Sequence, residues 1–225
     1  MAEKVVIGNA ELWHGDCREV LPGLPHVDLV LTDPPFGMGN FVQTTGNVRG
    51  RAVEWNDAPP DAAFFDVLRG MSEHRVIWGA NFFNCFENDG GAIVWLKRQR
   101  MPNFSKAEIA ACTHYKKTET VEIPWTNFTA THEAETDHPC ERPVRLYEWC
   151  LSYMPPSKTV LDPFMGSGST GVAAVRMGRS YIGIERERRY FEACCERISR
   201  AQSQKRMFAD EPEPVPQQQG LNCET

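Results

Sequence analysis

The chain has 225 residues, 41% hydrophobic and 24% charged, which fits one globular domain or one domain with a small insert. No apolar run approaches a membrane span, and the apolar stretch near the N-terminus is short for a secretion signal, so a cytoplasmic protein is expected. The eight cysteines form no C-x-x-C pair and lie at no zinc-finger spacing, so neither a metal site nor a disulfide framework is expected.

Taken in order, residues 5–7 and 12–14 read as short strands around a turn at Gly8-Asn9. Gly15-Asp16-Cys17 follows, then a short helical piece punctuated by Pro22, Gly23 and Pro25. Residues 27–32 are a buried strand by their length and β-branched content. They stop at Asp33-Pro34-Pro35-Phe36, where two prolines cannot continue a ladder. The carboxylate and the ring are therefore presented at the strand's C-terminal end, where open parallel sheets bind ligands. By itself the same string is also a plain proline turn.

Residues 37–60 form a long polar loop rich in glycine, with the character of a lid or of disorder. Asp61 caps a helix that buries Phe64, Phe65 and Leu68. Strand candidates follow at 75–79 and 92–96, with weaker ones at 108–112 and 121–125. Residues 98–137 lack strong periodicity and suit a small target-recognition segment.

Net charge is −6, yet it is unevenly spread. Between Lys97 and Lys117 six basic residues stand against one acid, Glu108, so that stretch is either a solvated basic face or a phosphate-contacting surface. Residues 207–225 hold four acids and no base, with Pro212, Pro214, Pro216 and three glutamines, and read as a disordered tail beyond a 1–206 catalytic domain.

After His138-Pro-Cys-Glu-Arg-Pro143 a helix buries Val144, Tyr147, Leu151 and Met154 and ends at Pro155-Pro156. Then comes the most informative stretch, Val160-Leu-Asp-Pro-Phe-Met-Gly-Ser-Gly-Ser-Thr170. It has the layout of a strand ending at Asp162, a tight turn at Gly166-Ser167-Gly168, and a helix N-terminus whose unsatisfied N–H groups face a polar ligand. Gly166, Gly168 and Gly171 match G-x-G-x-x-G, a weak signal alone. Glu185 sharpens it, because an acid ending the next strand (181–184) is placed to bind two ribose hydroxyls. A last helix spans about residues 188–203.

Asp-Pro-Pro-Phe followed much later by Asp-Pro-Phe-x-Gly-x-Gly resembles the DNA amino-methyltransferases that use S-adenosylmethionine. The motif order, catalytic first and cofactor last, resembles their permuted β class. Gly15-Asp16, Trp78-Gly-Ala-Asn81 and the His-Pro motif agree, and the likeness covers most of residues 11–200.

The resemblance implies an α/β fold of Rossmann-like methyltransferase type, with a mostly parallel central sheet, helices on both faces and circularly permuted motifs. It implies that Asp162, Phe164 and the turn through Gly166, Ser167, Gly168, Ser169 and Thr170 hold the methionine part of S-adenosylmethionine. Glu185 would bind its ribose, and Asp16 its adenine or its amino-acid end. Asp33, Pro34, Pro35 and Phe36 would orient a base flipped out of double-stranded DNA. Two residues depart from the common pattern: Phe36 stands where Tyr is usual, and Arg142 where Lys is usual.

Asp at position 33 goes mostly with adenine in this family, so methylation of adenine N6 is expected, with cytosine N4 as the alternative. Restriction-modification is one setting for such an enzyme, although the sequence does not reveal a restriction partner, and the small insert points to a homodimer that covers enough DNA. A nicotinamide-dependent oxidoreductase would explain the glycine turn and Glu185, but not Asp33-Pro34-Pro35-Phe36.

Overall fold

Short apolar runs become the strands, and amphipathic stretches between them become most of the helices. The computed structural model describes residues 2–37, 58–87, 90–98, 105–125 and 141–209. In chain order the strands are β1 (Glu3–Ile7), β2 (Ala10–His14), β3 (Val27–Thr32), β4 (Ser72–Trp78), β5 (Gly91–Leu96), β6 (Ala107–Cys112), β7 (Thr118–Glu122), β8 (Thr159–Asp162) and β9 (Ser180–Glu185). The helices are α1 (Cys17–Val20), α2 (Ala62–Met71), α3 (Ala80–Phe83), α4 (Val144–Tyr153), α5 (Ser169–Arg176) and α6 (Arg188–Ala209).

These strands form one sheet in the order β1-β2-β9-β8-β3-β4-β6-β5-β7. The five strands from β2 to β4 run parallel, and β1 joins antiparallel at one edge. β6 enters antiparallel between β4 and β5, and β7 runs parallel to β5.

Alternation along the central strands feeds two apolar layers. Leu29, Leu31, Val76, Trp78 and Val160 face a layer with residues of α4, α5 and α6. Val30, Ile77, Leu161 and Ile184 face the other, with residues of α1, α2 and α3. Helices thus cover both faces, and the parallel strands are buried on both sides, as a parallel sheet requires. Asp61 caps α2, its side chain accepting from the Phe64 amide at 3.0 Å.

Two segments differ from their sequence reading. Within residues 98–137 the strand read at 108–112 forms as β6, whereas the one read at 121–125 forms earlier, as β7, and both join the central sheet. Ala110, Ala111 and Cys112 are small enough to pack there, although their string shows no clear alternation. Helix α6 runs to Ala209, past the expected end near 203 and into the supposed tail, because no proline interrupts it before Pro212. The candidate lid at 38–57 and the rest of the tail, 210–225, lie outside the described residues.

The β3–β8 junction carries the tips at which Asp33 and Asp162 stand, and Asp28 pins it at the opposite end. Asp28 Oδ2 accepts from the amides of Lys158 (2.7 Å) and Thr159 (2.8 Å) and from the Thr159 hydroxyl (2.9 Å). These bonds, the Thr159 amide foremost, hold the Asp28 carboxyl below its usual range. Asp28→Ala leaves those donors to water, and the expected loss is about 1–2 kcal/mol of unfolding free energy in a denaturant titration. The depressed pKa gives the sign of the pH effect: the contribution is present above the unfolded value of 3.8 and fades as pH falls below it.

Candidate active site

Thr32 and Asp162 close two adjacent parallel strands at the same sheet edge. β3 and β8 pair Leu29 with Val160 and Val30 with Leu161. At their tips the Thr32 hydroxyl donates to Asp162 Oδ1 at 2.7 Å, and the Phe164 amide donates to the same oxygen at 3.1 Å. Asp162 is only 2% exposed. Burial pushes its carboxyl up to about 6, against the pull of bonds from Thr32, Thr170 and the Phe164 amide and of the Arg142 charge.

The glycine turn follows, with φ of +48° at Gly166 and +82° at Gly168, conformations that glycine adopts without strain. A Cβ on Gly168 would also meet Cys194 Sγ at 2.5 Å. Gly168 leads into α5. Glu185, at the end of β9, braces the turn: Oε2 accepts from the Gly166 amide at 3.0 Å and Oε1 from the Glu187 amide at 2.7 Å. Burial raises its pKa. Asp16 lies next along the edge, where the Gly15 amide bonds to the Glu185 carbonyl at 3.0 Å and the Asp16 side chain accepts from the Arg18 amide at 2.8 Å.

The edge therefore gathers Asp16, Asp162, Glu185 and the turn. It does not present every expected side chain. Ser167, Ser169 and Thr170 are buried, with the two serine hydroxyls 3.2 Å apart and Thr170 bonded to Asp162. Phe164 packs its ring on Phe64, centroids 5.3 Å apart.

Beyond β3, Asp33 is partly buried, Pro34 is buried, and Pro35 and Phe36 are half-buried. Phe36 stacks on Phe82 at 4.9 Å and 17°, so one face of its ring is covered. Phe82 itself is 51% exposed. Gly79 makes room for this arrangement: its φ is +73°, and a Cβ there would overlap the Phe36 ring. That accounts for the glycine of Trp78-Gly-Ala-Asn81.

Several charged residues that the sequence reading gave no site role surround these tips. Arg142 bonds to Asp33 Oδ2 through Nη1 and to Glu108 Oε2 through Nε (3.0 Å) and Nη2 (2.5 Å). Lys97 pairs with the other Glu108 oxygen. On the cofactor-motif side, Arg197 donates to the Ser167 carbonyl at 2.5 Å and pairs with Glu141 at 2.9 Å, both side chains buried. The Glu141-Arg142 step of the His-Pro motif was the available signal, since its charges point to opposite tips. Residues 138–140 of that motif lie outside the described residues.

Three of the six basic residues between Lys97 and Lys117 pair with acids among the described residues. Lys97 pairs with Glu108, Arg98 with Glu122 and Lys117 with Glu119. Glu119 lies two residues beyond Lys117 on the same stretch, whereas Glu122 is brought to Arg98 by the parallel β5–β7 register. Among the described residues no three His, Cys, Asp or Glu gather as a metal set, and no helix is long and apolar enough to cross a membrane.

Comparisons place this architecture. A profile of the N6/N4 methyltransferases, described as DNA methylases, matches residues 94–196. A putative methylase of Escherichia coli K12, YubD, is 30% identical over 204 residues, covering 84% of this chain and 89% of its own. The chain belongs to the N6/N4 DNA methylase family. The type II methyltransferase M.HinfI of Haemophilus influenzae is 27% identical over 239 residues, covering 82% of this methylase and 67% of its own length. Two solved structures share its fold. The PvuII cytosine-N4-specific DNA methyltransferase has a TM-score of 0.60 at 17% identity, covering 89% of this chain and 93% of its own. The M1.HpyAVI–SAM complex has a TM-score of 0.57 at 23% identity, covering 84% and 98%. Family membership sets aside the oxidoreductase reading.

The buried carboxylate gives this methylase a pH signature. The folded pKa of Asp162, about 6, lies above the unfolded 3.8, so the folded state holds the extra proton in that window. Wild type therefore loses stability relative to Asp162→Asn as pH rises through it, on the order of 3 kcal/mol in all. Denaturant titrations of both proteins at about pH 4.5 and about pH 7.5 check the sign.

Proposed function

We propose that this DNA methylase transfers a methyl group from S-adenosylmethionine to the N6 amine of adenine in double-stranded DNA. One observation carries the reading: Asp33 and the Asp162–glycine turn leave adjacent parallel strands at the same sheet edge, with Thr32 bonded to Asp162 at 2.7 Å.

The edge fits the donor. Asp16, Asp162 and Glu185 bring negative charge to a cation with ribose hydroxyls, and the turn at Gly166 and Gly168 offers a close backbone approach. When bound, S-adenosylmethionine supplies an electrophilic methyl, whose C–S bond breaks with its electron pair going to sulfur as the amine nitrogen forms the new C–N bond.

The protein's own work is at the amine. Asp33 Oδ1 is buried and, among the described residues, has no hydrogen-bond partner. It is the acceptor left for one N–H, and the Pro34 carbonyl takes the other. Both draw the lone pair out of conjugation with the ring and aim it at the methyl. Asp33 holds the hydrogen that the nitrogen sheds only after the bond has formed, so a strong base is not required. The flipped base stacks on Phe36 in the place that Phe82 now fills.

Asp at position 33 supports adenine, whereas the shared fold of a cytosine-N4-specific enzyme supports the second reading, cytosine N4. Mass spectrometry of nucleosides from DNA treated with the protein separates the two products. Asp33→Ala is expected to lower methyl transfer by at least about a thousandfold while calorimetry still shows S-adenosylmethionine binding. Undiminished transfer in that variant overturns the assignment.

A further inference from the structure

We propose that Arg142 is the positioning residue of the methyl-acceptor site, and that Glu108 on β6 holds Arg142 in place. The inference deepens the proposed function and rests on its assignment of Asp33.

Asp33 sits on a segment with two prolines and no ladder bonds, so the backbone does little to orient its carboxylate. The orientation comes from Arg142, whose Nη1 binds Oδ2. The other oxygen, Oδ1, remains buried without a partner among the described residues. A buried acceptor left open is costly unless a donor arrives. The guanidinium thus decides which oxygen is spent and which one meets the amine.

Arg142 is itself fixed. Its side chain is 6% exposed. Nε and Nη2 both reach Glu108 Oε2, at 3.0 and 2.5 Å, and the Cζ lies 5.6 Å from the Phe36 centroid and 5.8 Å from that of Trp78. A planar fork gripped along one edge and flanked by two rings offers its remaining nitrogen in one direction only. Glu108 is fixed in turn by Lys97, so the four charges Lys97, Glu108, Arg142 and Asp33 cancel.

A purely structural ion pair could be replaced by apolar side chains at little cost to folding. What favours positioning is the address: the chain of contacts ends on the one carboxylate oxygen opposite the open acceptor. It also runs through β6, so a displacement of the β5–β6 strands reaches the acceptor site through a single side chain.

The test uses the full-length protein with Arg142→Gln, Arg142→Lys and Glu108→Gln. Single-turnover methyl transfer, S-adenosylmethionine affinity, DNA affinity and thermal melting are measured for each. Misplacing Asp33 by about an ångström predicts that Arg142→Gln transfers roughly 100-fold more slowly, with both affinities within about threefold of wild type. Arg142→Lys, which keeps the charge, regains at least about tenfold of that loss, and Glu108→Gln loses about tenfold. Transfer by folded Arg142→Gln within about threefold of wild type overturns the inference, as does a rate loss matched by a loss of either affinity. If Arg142→Gln does not fold, an unchanged rate in folded Glu108→Gln overturns it. An active Asp33→Ala removes the functional reading itself, whereas an inactive Asp33→Ala beside a fully active Arg142→Gln removes only the role of Arg142.

Discussion

Carboxylates buried at the rim of a parallel sheet set the terms for this molecule. Asp33, Asp162 and Glu185 leave neighbouring strands at one edge, and none is freely hydrated. Each must be met by donors or by a cation, because an isolated buried anion costs far more than packing returns. The fold answers in three ways. Asp162 takes a hydroxyl and an amide from its own edge, Glu185 takes two backbone amides, and Asp33 takes a guanidinium. The chemistry available at each tip follows from which answer it received.

Consecutive residues of opposite charge link the tips. Glu141 faces the glycine turn through Arg197, and Arg142 faces Asp33. The end of the His-Pro motif is therefore the piece that spans the Asp162 and Asp33 tips. The aromatic residues complete the enclosure, with Phe36 and Phe82 stacked and Gly79 clearing space beneath them.

Much of this was legible beforehand where one residue type has one physical reason. Val27–Thr32 reads as a strand to the residue, and Asp61 as a cap, because β-branched content and short polar side chains act locally. The glycines of 166 and 168 were legible for the same reason, since positive φ favours them. Ion pairing was not legible. Glu108 and Glu122 meet Lys97 and Arg98 only once β5, β6 and β7 are in register, and a running count of charge cannot show that. Nor could the burial of Ser169 and Thr170 be read, because a helix start gives no sign of which face the sheet will cover. The antiparallel entry of β6 between β4 and β5 belongs to the same class of long-range fact.

The Thr32–Asp162 bond joins residues 130 positions apart. Until β8 has formed, β3 has only β4 beside it as a parallel partner, and the amides that Asp28 binds have not arrived. Closing so long a loop carries an entropic cost before any contact is gained, and topologies of this kind condense slowly. The edge that carries both tips is consequently a late product of folding: a ribosome must deliver most of the chain before the two tips can meet. Mutations that slow the docking of β8 would then lower the yield of competent protein without altering the turnover of those molecules that complete it.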